Sequence, residues 1–165
     1  MTLVRNLPLF VFFTSLLPSV TVHAQGIEIK GLRIGMTIGE VEKTIGPLPV
    51  RDFTIAGVRN KYSTFSPVFH DGKLDYFQFA FDPSAFDEVA SAVKDKYPAL
   101  FCQNTTITNA MGAVFKQTQC SLKDKLGSLL LSRYTGQITT STLSLTSTRA
   151  LNEFLEKRNE RKKDL

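Results

Sequence analysis

The stretch from Val68 to Tyr97, VFHDGKLDYFQFAFDPSAFDEVASAVKDKY, restricts the fold more than any other part of this chain. Asp71-Gly72 supplies two residues that tolerate positive φ, as a two-residue hairpin turn requires. Phe77, Phe79 and Phe81 fall at period 2 and so share one face of the returning strand. Phe86, Val89, Ala90, Val93 and Tyr97 then recur at helical spacing and make one apolar face. Between strand and helix, Asp82-Pro83-Ser84 allows two starts. Asp82 caps with Pro83 at the first helical position, or Ser84 caps with Asp87 as its capping-box partner. An aromatic strand face and an apolar helix face joined so closely must pack on each other.

The rest of the chain repeats this grammar. Thr37 and Glu40 have capping-box spacing, and Met36 and Val41 that of a hydrophobic staple. They open a helix with Ile38, Val41 and Ile45 as its buried stripe, which Gly46 ends in the left-handed region before Pro47. Strands are predicted near 52–58 and 61–69, and the Asp71-Gly72 turn returns the chain along 73–81. Beyond the second helix, 101–108 and 113–121 form one hairpin, and 128–134 and 138–146 another around Thr135-Gly136-Gln137. A last helix over 148–161 carries Ala150, Leu151, Phe154 and Leu155, then runs into Arg161-Lys162-Lys163, cations that suit a helix C-terminus. The order predicts an α+β fold of two layers, with three helices on an antiparallel sheet of about six to seven strands. A helix followed by three or so strands recurs with a period of roughly 50 residues, a coarse tandem repeat.

Residues 1–24 read as a cleaved export signal, with the rest, 25–165, as a single domain. Arg5 is their only charged side chain, Leu7 to Val20 is apolar, and Val22-His23-Ala24 offers a small-residue cleavage site before Gln25. Pro8, Thr14, Ser15, Pro18 and Ser19 interrupt the run, which falls short of the ~20 apolar residues of a spanning helix. No Cys lies at the cleavage site to take a lipid anchor. The expected product is soluble and periplasmic or secreted, with no stable membrane insertion.

Export puts the two cysteines in an oxidising compartment. A turn at Asn109 to Gly112 sets Cys102 opposite Cys120, close enough to bridge. A redox pair is the competing reading, but CxxC spacing is absent, so the bridge is expected to be structural.

The segment Leu32 to Pro47, with Gly35-Met36-Thr37, Glu40-Val41 and Ile45-Gly46-Pro47, resembles the opening of the SmpA/OmlA family of outer-membrane lipoproteins. It is also similar to the repeat unit of the β-lactamase-inhibitory-protein-like fold. In both, the resemblance implies a short helical element before a three-stranded antiparallel sheet, and in the second a tandem of two such units. The lipoproteins carry a Cys at the cleavage site and this chain has none, so their outer-membrane anchoring is not carried over. The layout also looks like that of many small exported bacterial proteins of unknown function, and no functional residue follows from the likeness.

Catalytic signals are sparse. His70 is the only histidine beyond residue 24, and it flanks a turn without HExxH or thiolate partners, so no metal, cofactor or catalytic residue is predicted. Ser and Thr crowd 138–148, but neither GxSxG nor SxxK occurs there, and a strand with one face to water accounts for them. The net charge of +5 is modest and spread out, not an aromatic-interleaved basic patch, so nucleic acid is not an expected partner. Binding is the stronger class. Phe65, Phe69, Leu74 and Tyr76, near Lys61 and Lys73, are expected on the sheet face away from the helices, an aromatic patch with a polar rim. The competing reading makes them ordinary core. The expected function is a non-enzymatic module that binds another envelope protein. The alternative is a small envelope hydrolase or small-molecule binder using a cleft between the two halves.

Overall fold

A tight turn seeds the sheet. Asp71 and Gly72 adopt φ +47° and +70°, conformations that a two-residue hairpin loop needs and that Gly adopts without strain. They join β3 (Thr64–His70) to β4 (Lys73–Phe81). The computed structural model describes residues 26–49, 54–55, 58–59 and 64–163. The export signal expected over 1–24 lies outside the described residues. So does most of the region predicted as strand between 50 and 63, of which two short strands are described, β1 (Thr54–Ile55) and β2 (Val58–Arg59), paired with each other.

Helix α1 (Ile38–Ile45) starts as its sequence predicts. Thr37 accepts from the Glu40 N–H (3.3 Å) and Glu40 Oε2 accepts from the Thr37 N–H (2.7 Å), so the capping box is complete. Its buried stripe is narrower than expected: Val41 is enclosed and Ile45 half-buried, but Ile38 faces solvent. Gly46 ends the helix at φ +93° and ψ 173°, a positive-φ conformation open essentially to glycine alone, rather than the left-handed helical one. At the second helix, Asp82 Oδ1 accepts from the Ser84 N–H (2.8 Å) and Pro83 opens a 3₁₀ turn. Helix α2 (Phe86–Lys96) continues from it with Phe86 and Val89 fully buried. Of the two possible starts, Asp82 is the one used. Asp87 turns outward instead and pairs with Arg133.

The remaining strands are β5 (Phe101–Thr108), β6 (Val114–Lys123), β7 (Gly127–Ser132) and β8 (Ser141–Ser147), followed by helix α3 (Thr148–Lys163). Residues 138–140, expected to start the last strand, belong to a wider loop. The six strands β3 to β8 form one antiparallel sheet in the order β3-β4-β8-β7-β6-β5. The chain leaves β4 through α2, enters β5 at the far edge, and meanders back until β8 pairs with β4. The expected repeat is unequal here, since the first half contributes β3 and β4 to this sheet and the second β5 to β8, joined where Phe79 meets Leu143 and Phe77 meets Leu145.

One sheet face carries the core. Phe77, Phe79, Phe81, Leu143, Leu145, Leu129 and Leu131 line it, and Val41 of α1 with Phe86 and Val89 of α2 pack within the same cluster. The opening segment joins them through Ile27, Ile29 and Leu32, all buried. Backbone bonds hold that segment to the end of β4: the Gly35 N–H donates to the Leu74 carbonyl (2.8 Å), and the Leu74 N–H to that of Met36 (2.6 Å). Cys102 and Cys120 sit directly opposite on β5 and β6 with their sulfurs at disulfide distance, 2.07 Å. The hairpin turn between them is held by Asn109 Oδ1, which accepts from the N–H groups of Met111 (3.0 Å) and Ala113 (2.9 Å).

Candidate functional site

The register of β3 against β4 decides which side chains reach the surface. Phe69 pairs with Leu74, but Val68 pairs with Tyr76, so Asp75 is an extra residue on β4 and the register shifts between them. A uniform pairing would set Pro67 against Tyr76 and carry Phe65 to the outer face. Beyond the bulge the register moves by one, and every β3 side chain changes face. Phe65 then meets Phe79, with ring centroids 5.0 Å apart, and lies 5.9 Å from Phe77.

The patch expected on the outer face is therefore split. Phe65 and Leu74 are buried in the core, and Phe69 is half-buried against it. Tyr76 alone of the four aromatic and aliphatic side chains lines the outer face. Lys73 is exposed but lines a different hollow with His70, Lys125 and Arg149, at the end of the sheet. Lys61 lies outside the described residues.

The face opposite the core is built from the alternate residues of the central strands. Tyr76 and Gln78 of β4, Thr142, Ser144 and Thr146 of β8, Leu130 and Ser132 of β7 and Gln119 of β6 share it. Apart from Leu130 these are hydroxyl, phenol or amide side chains, none of them charged. Helix α3 leaves the sheet at Ser147 and Thr148 and crosses above this face. Ser147 directs the turn: its Oγ accepts from the Ala150 N–H (2.9 Å) and donates to Asp75 Oδ1 (2.5 Å). Arg149 completes the anchor by pairing with Asp75 and with Glu153 Oε1, the latter at 2.6 Å. The bulge at Asp75 thus positions the helix as well as the register.

Between α3 and the sheet lies an open cleft of about 780 Å³. Its floor is the polar row of β4, β8 and β7, and its wall is Ala150, Leu151 and Phe154 of α3. Burial raises the Tyr76 phenol above the ordinary tyrosine value of 10.0, so it remains protonated and able to donate. It donates to Gln78 Oε1 (2.8 Å). At the far end Tyr134 is held by Gln117, whose buried amide bonds its backbone twice, Nε2 to the Tyr134 carbonyl (2.8 Å) and Oε1 from the Tyr134 N–H (3.0 Å). The Tyr134 ring meets Phe115 edge-on at 6.1 Å. Tyr134 and Gly136 also line a second hollow of about 490 Å³ beside Ile107 and Ile138, so the two spaces adjoin.

The second exposed feature is the β5 edge. All eight of its residues pair with β6 without a register shift, and it carries neither a charge nor a proline. Seven of the eight are exposed, Phe101 among them at 61%. The other edge, β3, carries Pro67 and faces the bulge.

Among the described residues, no group of three or more His, Cys, Asp or Glu is placed to hold a metal ion. Nor is any described helix long and apolar enough to cross a membrane. Among the described residues, these features define an α+β protein with an open six-stranded antiparallel sheet, a cleft on its outer face and an edge at β5 that no further strand pairs. Compared with protein-family models, with curated proteins and with solved structures, the chain finds no match. Sequence reasoning reached only Tyr76 of the cleft. The alternation of Thr142, Ser144 and Thr146 with Leu143 and Leu145 was the available signal for its floor, and it gave a face without saying what crosses it.

Proposed function

We propose that this is an exported, periplasmic, non-enzymatic module that binds another envelope protein by adding a partner strand at β5. The observation that carries this reading is the unprotected edge. Native sheets blunt their edges with Lys, Pro, bulges or a covering element, because an open row of N–H and C=O groups templates further pairing. Here β3 has its proline, whereas β5 carries no Lys, Pro or register shift, and among the described residues no strand pairs beyond it. Strand addition draws affinity from main-chain hydrogen bonds and specificity from alternate side chains. On β5 the alternates toward the cleft side are Phe101, Gln103, Thr105 and Ile107, with Phe101 as an exposed aromatic anchor. The pairing of Cys102 with Cys120 ties this edge to β6 and suits an oxidising compartment. The likeness of Leu32 to Pro47 to SmpA/OmlA proteins fits an envelope role in the same way, through capping and turn chemistry alone.

The test is photo-crosslinking from Thr105 in living cells. One dominant envelope protein is expected in the crosslinked product, and the Asn104→Lys/Thr106→Lys variant, which charges the edge at two exposed β5 positions, is expected to lose it. A dominant partner that persists in the charged variant would overturn the reading, as would a second copy of this chain as the sole product.

A further inference from the structure

The cleft beneath α3 suits a ligand of a different kind from the β5 edge, and we propose that it binds a neutral oligosaccharide. Three features of its chemistry converge on this class. First, the cleft has no free cation. Its charged side chains are Asp75, Arg149 and Glu153, and Arg149 bonds both carboxylates. An anionic ligand would enter without a free counter-charge, because the one guanidinium is already shared by two carboxylates. Second, the floor is a row of hydroxyl and amide groups, Gln78, Gln119, Thr142, Ser144 and Thr146, beside the Tyr76 phenol. Such groups both donate and accept, as sugar hydroxyls do. Third, aromatic rings stand along the track: Tyr76 on the floor, Phe154 on the α3 wall and Tyr134 where the two hollows meet. A sugar ring presents hydroxyls at its edge and C–H groups on its face. The floor meets the first and the rings meet the second.

The geometry also separates this class from its competitors. An extended peptide draws on free backbone groups, but β4, β8 and β7 are each paired on both sides, so the floor offers it no strand edge. A purely apolar ligand would leave the floor amides and hydroxyls dry and unpaired. Length is matched too. The hollows of about 780 Å³ and 490 Å³ adjoin at Tyr134, giving room for more than one sugar ring. Gln117 fixes Tyr134 through two backbone bonds, so the platform at the junction exists before a ligand arrives.

The test is ¹H–¹⁵N titration of the mature chain with maltose, cellobiose and N,N′-diacetylchitobiose, with digalacturonic acid and 1-hexanol as the charged and apolar probes. At least one neutral disaccharide is expected to shift the amides of Tyr76, Gln119 and Phe154 together, with saturation by about 10 mM. Phe154→Ala, on an exposed helix position, is expected to weaken that binding about fivefold while leaving the rest of the spectrum in place. Tyr134→Leu, which keeps the backbone bonds to Gln117, is expected to weaken it to a similar degree. The proposal is overturned if no neutral disaccharide shifts the cleft amides. It is equally overturned if the acidic sugar or hexanol binds more tightly, or if both variants bind as the parent does. The Asn104→Lys/Thr106→Lys variant, whose side chains lie on the sheet face away from the cleft, is expected to bind sugar normally, which separates this site from the β5 edge.

Discussion

Asp124 shows how much of this structure rests on single polar residues. Its Oδ1 accepts from the N–H groups of Leu126 and Gly127, both at 2.8 Å, and so shapes the turn between β6 and β7. Its Oδ2 accepts from the Ile27 N–H at 2.7 Å, ninety-seven residues away in sequence. One carboxylate thereby holds a turn and fastens the opening segment, whose Ile27, Ile29 and Leu32 belong to the core. Bonds to a charged group contribute about 1.5–3 kcal/mol each and are not additive, so Asp124→Ala is expected to lower stability by about 3 kcal/mol. Urea denaturation checks this: the midpoint falls with the slope unchanged, and Asp124→Asn, which keeps one acceptor, loses less. In the sequence, Lys123-Asp124-Lys125 reads as a charged turn and no more. Nothing local could reveal the link to Ile27, because that partner is set by where the sheet brings the turn.

At the scale of elements, the local signals were legible and the facing was not. The capping box of α1, the Asp71-Gly72 turn, the run of β4 and the opposed cysteines all follow from short spacings, and all are present. The split of the Phe65, Phe69, Leu74 and Tyr76 patch follows from one extra residue, Asp75, on β4. That residue is stabilised by Ser147 and Arg149, from an element seventy residues on, so the β3–β4 sequence does not disclose the bulge. The α1 cap makes a prediction about acid. The Thr37 N–H and then its hydroxyl hold the Glu40 carboxyl below its ordinary value of 4.5. A carboxyl depressed by folding contributes stability above its unfolded value and loses it as pH falls through the folded one. The Thr37 amide resonance, bonded to Glu40 Oε2, is expected to titrate with a midpoint below 4.5. A midpoint at or above 4.5 would show that the cap is not formed in solution, and Glu40→Gln is expected to abolish the titration.

At the scale of the molecule, the account depends on one sheet whose two faces differ. The α+β class and a sheet of this size were readable from the order of helices and strands. The union of the halves was not, because β4 and β8 lie sixty residues apart and either half could close its own sheet. Their pairing sets Phe77 and Phe79 against Leu145 and Leu143, which makes one core. It also aligns Tyr76, Gln78, Thr142, Ser144 and Thr146 on the other face, and it leaves β5 at an edge. Core, cleft and edge are three results of a single topology. Native-state amide exchange, read residue by residue along β8 and β5, tests it most directly. A strand bonded on both sides exchanges only through large-scale opening, whereas an edge strand bonded on one side leaves about every second amide free. All amides from Leu143 to Thr146 are expected to exchange slowly, and alternate amides of β5 quickly. Alternate fast exchange along β8 would place an edge there, separate the two halves, and contradict the core, the cleft and the open edge together.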